Sequence, residues 1–142
     1  MEPTKKVYNS EKSYVLGFLL WGLFVGIFIV TQIYGNTYFT TLVSVILLFI
    51  AVFWFGTRYV IQGDFLIIKI GPFNYTKIDV KTIKSIDNAK GNLMSAPANS
   101  FNRINIKYGK LKEILLSPKS REQFFEDLQK INPSLKNGNY LK

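Results

Sequence analysis

Seven carboxylates after the two uncharged runs of the chain are equipped for acid–base work: Asp64, Asp79, Asp87, Glu113, Glu122, Glu126 and Asp127. Catalysis of that kind needs a carboxyl whose pKa is moved toward neutrality, by burial or by a second carboxyl close by. None of the seven is expected in such a setting. Asp64 follows Gly63 in a turn signal, and Glu122, Glu126 and Asp127 fall on the side of a terminal helix expected to face solvent. The chain has no His and no Cys. That removes imidazole bases, thiolate nucleophiles, disulfides, and metal sites built on imidazole or thiolate. No glycine loop of the phosphate-cradling kind and no nucleophile elbow occurs. Neither an enzyme nor a cofactor is expected.

The cations carry more information. Lys and Arg number 18 and the net charge is +9. Lys77, Lys81, Lys84 and Lys90 lie along one stretch, and Lys107, Lys110 and Lys112 along another. A solvated face explains them. So does contact with anionic lipid, at about 1 kcal/mol per Lys near the surface. A single Arg stands in the segment "SAPANSFNRINIKYG", Ser95 to Gly109. Ser100 and Asn102 are residues that bond local backbone at loop ends. Arg103 is expected to open a strand on its polar face, where Asp79, Asp87 or Glu113 would pair with it. It is the residue of this loop to test first as a ligand or partner contact.

Two uncharged runs must be placed before these groups can be positioned. Tyr14–Tyr34 and Tyr38–Gly56 contain no charged residue, and only Gly35, Asn36 and Thr37 separate them. A helix of about 21 residues covers roughly 30 Å, the thickness of a hydrocarbon core. Backbone in lipid must satisfy its own hydrogen bonds, so both runs are expected as helices. A signal peptide fits the first run poorly: it is too long, no small-residue cleavage site follows, and a second span begins at once.

Lys5, Lys6 and Lys12 precede the first run, the turn has no cation, and Arg58 follows the second. The positive-inside rule places both chain ends in the cytoplasm, with residues 1–13 a cytoplasmic tail. The excess of positive charge then points to lipid rather than nucleic acid. Gly22 and Gly26, one turn apart, are expected to let helices approach closely, with Ser44 and Ala51 on the second helix as the receiving face. That face serves packing within one hairpin or a homo-oligomer. Neither span carries a charge, which argues against an ion-coupled transporter.

Past Gly56 the composition changes. RYVIQ, FLIIKI, FNYTKIDV, KTIKSID, FNRINIKY and LKEILL read as six short strands, with turns at Gly63-Asp64, Gly71-Pro72 and Gly109-Lys110. SPKSREQFFEDLQKIN reads as a helix. Ser117 is a candidate N-cap with Pro118 at the first helical position, and Ser120 with Gln123 offers a second start. Phe124, Leu128 and Ile131 form one apolar stripe, and Asn132-Pro133 stops the helix. The remainder, 134–142, reads as a flexible tail.

Residues 58–133 resemble the YyaB-like family of bacterial pleckstrin-homology (PH) domains. The matching pieces are YVIQGDFLIIKIGPF, Ile78 with IKSI, APANSFNRINIKYG, and ILLSPKSREQFFEDLQKINP. Asn102 stands where the family's Ser-x-Asp-Arg segment has Asp. The resemblance implies a membrane-anchored α+β protein: a two-helix transmembrane hairpin followed by a PH-like antiparallel half-barrel with a C-terminal helix, over residues 57–133. It implies a binding or scaffolding module rather than an enzyme. It also supplies one precedent, the sublancin immunity protein, which is similar to this family and protects a bacterium from its own bacteriocin. The partners so implied are the bilayer, a membrane protein or a bacteriocin. The phosphoinositide binding of eukaryotic PH domains does not follow from fold alone.

Overall fold

The computed structural model describes residues 5–35, 37–89, 100 and 102–137. Helices α1 (Tyr14–Tyr34) and α2 (Thr37–Gly56) follow the two uncharged runs, α2 starting one residue earlier than expected. Both are long and apolar enough to cross a membrane, and almost none of either is buried. Ser13 caps α1, its hydroxyl accepting from Leu16 N at 3.4 Å.

The less exposed residues of each helix form one stripe, Gly17, Trp21, Phe24, Phe28 and Thr31 of α1 and Thr40, Val43, Leu47, Ile50 and Trp54 of α2, and the seam follows these stripes at Gly17–Trp54 and Thr31–Thr40. Thr40 donates to the Thr31 carbonyl at 3.3 Å. Trp21 stacks on Phe55 with ring centroids 6.1 Å apart. Gly22, Gly26 and Ser44 do not join this seam. Both glycines are exposed with open space where a side chain would project, and Ser44 is exposed and donates to Thr40 O. Ala51 alone of the four is half-buried. The reason is periodicity: bulky aromatics every three to four residues select one stripe, and the glycine pair falls beside it. Gly17, against Trp54, is the glycine of the seam. Asn36, expected in the turn, lies outside the described residues.

All six expected strands are present: β2 (Arg58–Gln62), β3 (Phe65–Ile70), β4 (Phe73–Asp79), β5 (Ile83–Asn88), β6 (Ile104–Tyr108) and β7 (Lys112–Leu116). Gly63, Gly71 and Gly109 sit in the turns at positive φ. A single 3₁₀ turn, Val80–Thr82, capped by the Asp79 carboxylate, links β4 to β5.

A strand that the sequence did not announce comes from the N-terminal tail. Lys5–Asn9 is β1, antiparallel to β2 with Lys5 opposite Gln62 and Asn9 opposite Arg58. The first sheet therefore has the order β1-β2-β3-β4, with the whole helical hairpin between its first two strands. The second has the order β7-β6-β5-β8, where β8 (Lys136–Asn137) runs parallel to β5. Residues 134–137 are thus not a loose tail: Leu135 is buried, because it extends the apolar side that Ile83 and Ile86 present. Residues 138–142 lie outside the described ones.

Helix α3 (Arg121–Ile131) closes the half-barrel with Phe124, Phe125 and Leu128 buried and Ile131 at the rim. It starts at Ser120, the later of the two expected starts, and without a side-chain cap. Ser117 cannot cap it. Its N–H and hydroxyl are engaged with Tyr59 and Ser10, and Pro118 forms a β-bridge with Ser10. Asn132 ends the helix and is itself buried, its amide donating to the carbonyls of Val80 and Ile83, each at 3.0 Å.

Candidate functional site

The chain segment between β1 and α1 ties three parts together. Ser10 N donates to Thr57 O, Glu11 N to Ser117 O and Lys119 N to Asn9 O. Beneath them Tyr59 is fully buried. Its hydroxyl donates to Ser10 Oγ at 3.1 Å and accepts from Ser117 N at 3.1 Å, while Ser10 Oγ and Ser117 Oγ lie 3.0 Å apart. Burial raises the Tyr59 pKa. Buried hydroxyls must be bonded, and here every member of the group has a partner.

Beside this knot lies an open groove of about 1150 Å³, lined from the helices by Tyr14, Val15 and Phe55 and from the sheets and connectors by Lys12, Arg58, Asn102 and Lys119, among others. Lys12 sits over the Phe55 ring, 4.2 Å from its centroid, and burial there lowers its pKa. Three cations and one acid, Glu11, thus border an apolar strip at the foot of the hairpin. Such a groove suits a ligand with an anionic head and an apolar body.

The residues singled out from sequence fall elsewhere. Arg103 is buried, only 6% exposed, and its Nε donates to Ser100 O at 2.5 Å. It precedes β6, so strand alternation does not apply to it and it does not stand on the polar face. Ser100 Oγ accepts from Asn102 N, and Asn102 reaches Glu11 at 3.4 Å. Residues 90–99 and 101, which include Lys90 and most of the loop, lie outside the described residues.

Lys77 lies over Phe65 at 3.8 Å, Lys81 pairs with Asp64 and Lys107 with Asp87, while Lys84 is exposed. Its bond to Asp64 raises the Lys81 pKa. Lys81 and Lys84 share a shallow hollow with Gly109 and Lys136, and no lysine of the second stretch lines it. That hollow is at the wrong end for the bilayer that the hairpin would occupy. Strand β2 runs from Arg58 at the helices to Gln62, and the register passes from Gln62 to Phe65 to Asp79. The separation is about 13 Å along the strand, beyond the roughly 8 Å over which exposed charges act in physiological salt.

Periodicity puts Asp127 on the exposed side of α3, but it is buried. Strand β1 covers that side, and Asp127 accepts from Lys6 at 2.7 Å, from Lys130 at 3.0 Å and from the Tyr8 hydroxyl. Burial alone would raise its pKa; the three hydrogen bonds outweigh it and hold the carboxyl at about 2. Burial and then the bond to Asp127 push the Tyr8 pKa well above the usual phenol range. This is a clasp between a strand and a helix. Sequence reasoning missed Tyr8, Ser10 and Asp127 because each acquires its role only when β1 docks; Tyr59, a hydroxyl next to the apolar Val60 and Ile61 of RYVIQ, carried the one readable signal.

A family model described as "Bacterial PH domain" matches residues 57–132, more than half of the 142-residue chain, and the chain belongs to that family. No curated protein and no solved structure matches it. The matched segment begins after the hairpin, so β1, which completes the first sheet, lies outside it.

Proposed function

We propose that this chain is a non-enzymatic, two-span protein of the bacterial cell membrane, with both ends cytoplasmic, whose PH domain is a binding or scaffolding module held at a fixed attitude to the bilayer. The observation that carries this reading is the pairing of β1 with β2 across the hairpin. Strands from either side of α1 and α2 can pair only if both helix ends emerge on one side, which is what two crossings provide. The cation distribution supports the cytoplasmic side. Of the seven carboxylates, Asp127 and Asp64 are held by lysines, which supports binding over catalysis at those positions.

The cysteine-free chain allows a direct test. Tyr38→Cys at the hairpin turn and Leu111→Cys at the far end of the sheets both replace exposed residues. On intact cells an impermeant maleimide is expected to label the first and spare the second. Labelling of Leu111→Cys without lysis, or extraction of the protein without detergent, overturns the reading.

A second reading, sensing of anionic lipid, is favoured by Lys12, Arg58 and Lys119 at the foot of the helices rather than by Lys77, Lys81, Lys84 and Lys107. Photo-crosslinking from position 119 in membranes should yield lipid adducts that a probe at position 111 does not. Bacteriocin immunity rests on the YyaB-like resemblance alone. Unchanged toxin sensitivity after gene deletion would end it.

A further inference from the structure

The turn between β3 and β4 does not stop at the end of the hairpin but overlaps it. A Cβ on Gly56 would lie 2.4 Å from Gly71 Cα, and one on Gly71 would lie 3.3 Å from Val52 Cγ1. Two backbones are in contact here, with no room for a side chain between them. Phe73 continues the overlap, stacking on Phe53 with ring centroids 6.2 Å apart and planes inclined by 21°. Val52 and Phe53 are three to four residues inward from the end of α2, which at ~1.5 Å per residue is about 5 Å. The turn therefore lies alongside the last turn of an uncharged helix.

Its two aromatic side chains are uncovered, with the exposed Asn74 between them in sequence. Phe73 is 60% exposed and Tyr75 54% exposed. Together with Phe49, Phe53, Trp54 and Ile70 they line an apolar hollow of about 460 Å³. Cations begin one step further out: Lys69 precedes Ile70 on β3 and stands opposite Arg58 on β2. Apolar tip, aromatic side chains, then basic residues is the order in which a membrane interface selects side chains with depth.

We infer that the β3–β4 turn is a third membrane contact, with Phe73 and Tyr75 immersed in the acyl region of the leaflet that α2 leaves and the hollow beside Phe53 filled by lipid chain. This rests on the two-span reading and adds to it: the domain is seated in the bilayer surface at two points, the hairpin and the turn, and cannot swing. The occupant is lipid because the exposed rings continue the outer surface of α2 without a break.

Nitroxide labels on the full chain, reconstituted in vesicles of phosphatidylglycerol and phosphatidylethanolamine, test it. Labels are placed singly at Phe73→Cys, Tyr75→Cys, Leu48→Cys on the outer face of α2 and Leu111→Cys, all exposed positions. Collision with oxygen, which partitions into lipid, is compared with collision with a water-soluble nickel chelate. Positions 73 and 75 are expected to favour oxygen as position 48 does, with the ratio reversed at 111. If 73 and 75 follow 111 while 48 favours oxygen, the turn contact is wrong and the two-span reading survives. If 48 also follows 111, both fall.

Discussion

The Tyr59 hydroxyl donates to Ser10 Oγ at 3.1 Å across 49 residues of sequence that include both helices of the hairpin. The bond is buried, and Tyr59 in turn accepts from Ser117 N, so one phenol joins the strand before the hairpin, the strand after it and the end of the second sheet.

Tyr59→Phe removes this hydroxyl and leaves the Ser117 N–H without that acceptor. A buried donor left so costs about 1–3 kcal/mol. We expect a loss of that size in equilibrium unfolding in detergent, and faster amide exchange over Ser10–Lys12. An unchanged stability would mean that water replaces the phenol and that the knot is not dry.

The Lys6–Asp127–Tyr8 clasp gives a pH dependence with a defined sign. The Asp127 carboxyl has a folded pKa of about 2, below its usual 3.8. A depressed carboxylate stabilises the fold above the unfolded pKa, and that stability is lost as pH falls through the folded value. The window is therefore roughly pH 4 down to 2. Because the Lys6 side chain is 48% exposed and that of Lys130 69%, the contribution is on the order of 1 kcal/mol after screening. In Asp127→Asn the acid limb of the stability profile should flatten over this window, read by unfolding at stepped pH. An unaltered limb would show that the loss of stability arises elsewhere.

The two sets of glycines should respond in opposite ways. Gly56→Ala forces a methyl into the Gly71 backbone, and overpacking of this kind costs about 1–3 kcal/mol. It should lower the unfolding midpoint and loosen amide protection over the β3–β4 turn. Gly22→Ala and Gly26→Ala meet nothing within the chain and should leave the midpoint in detergent unchanged or slightly raised. If the same pair abolishes crosslinked dimers in membranes, its outward face serves self-association. Equal destabilisation by all three substitutions would contradict the packing described.

Local pattern carried much of the architecture. Leu66, Ile68 and Ile70 alternate as a half-buried strand must, and Phe124, Leu128 and Ile131 mark the covered side of α3. The uncharged runs gave both long helices within a residue. Most of what local pattern missed has a partner remote in sequence. Lys5–Asn9 is a short edge strand with Val7 and Tyr8 as its apolar content, and its pairing depends on β2, which follows the hairpin. Asp127 reads as solvent-facing until that strand covers it. Ser117 reads as a helix cap until Tyr59 and Ser10 claim its polar groups. Arg103, the leading candidate contact, reads as a strand residue, yet it turns back on Ser100 before β6 begins.

Because β1 and β2 flank the hairpin, on the two-span reading the sheet can be completed only when both helices have crossed. A nascent chain whose second helix failed to integrate would leave Lys5–Asn9 on the opposite side of the lipid from β2. The edge of β2 would then stay bare, an invitation to aggregation, and α3 would lose the strand that covers Asp127 and Tyr8's ring against Phe124.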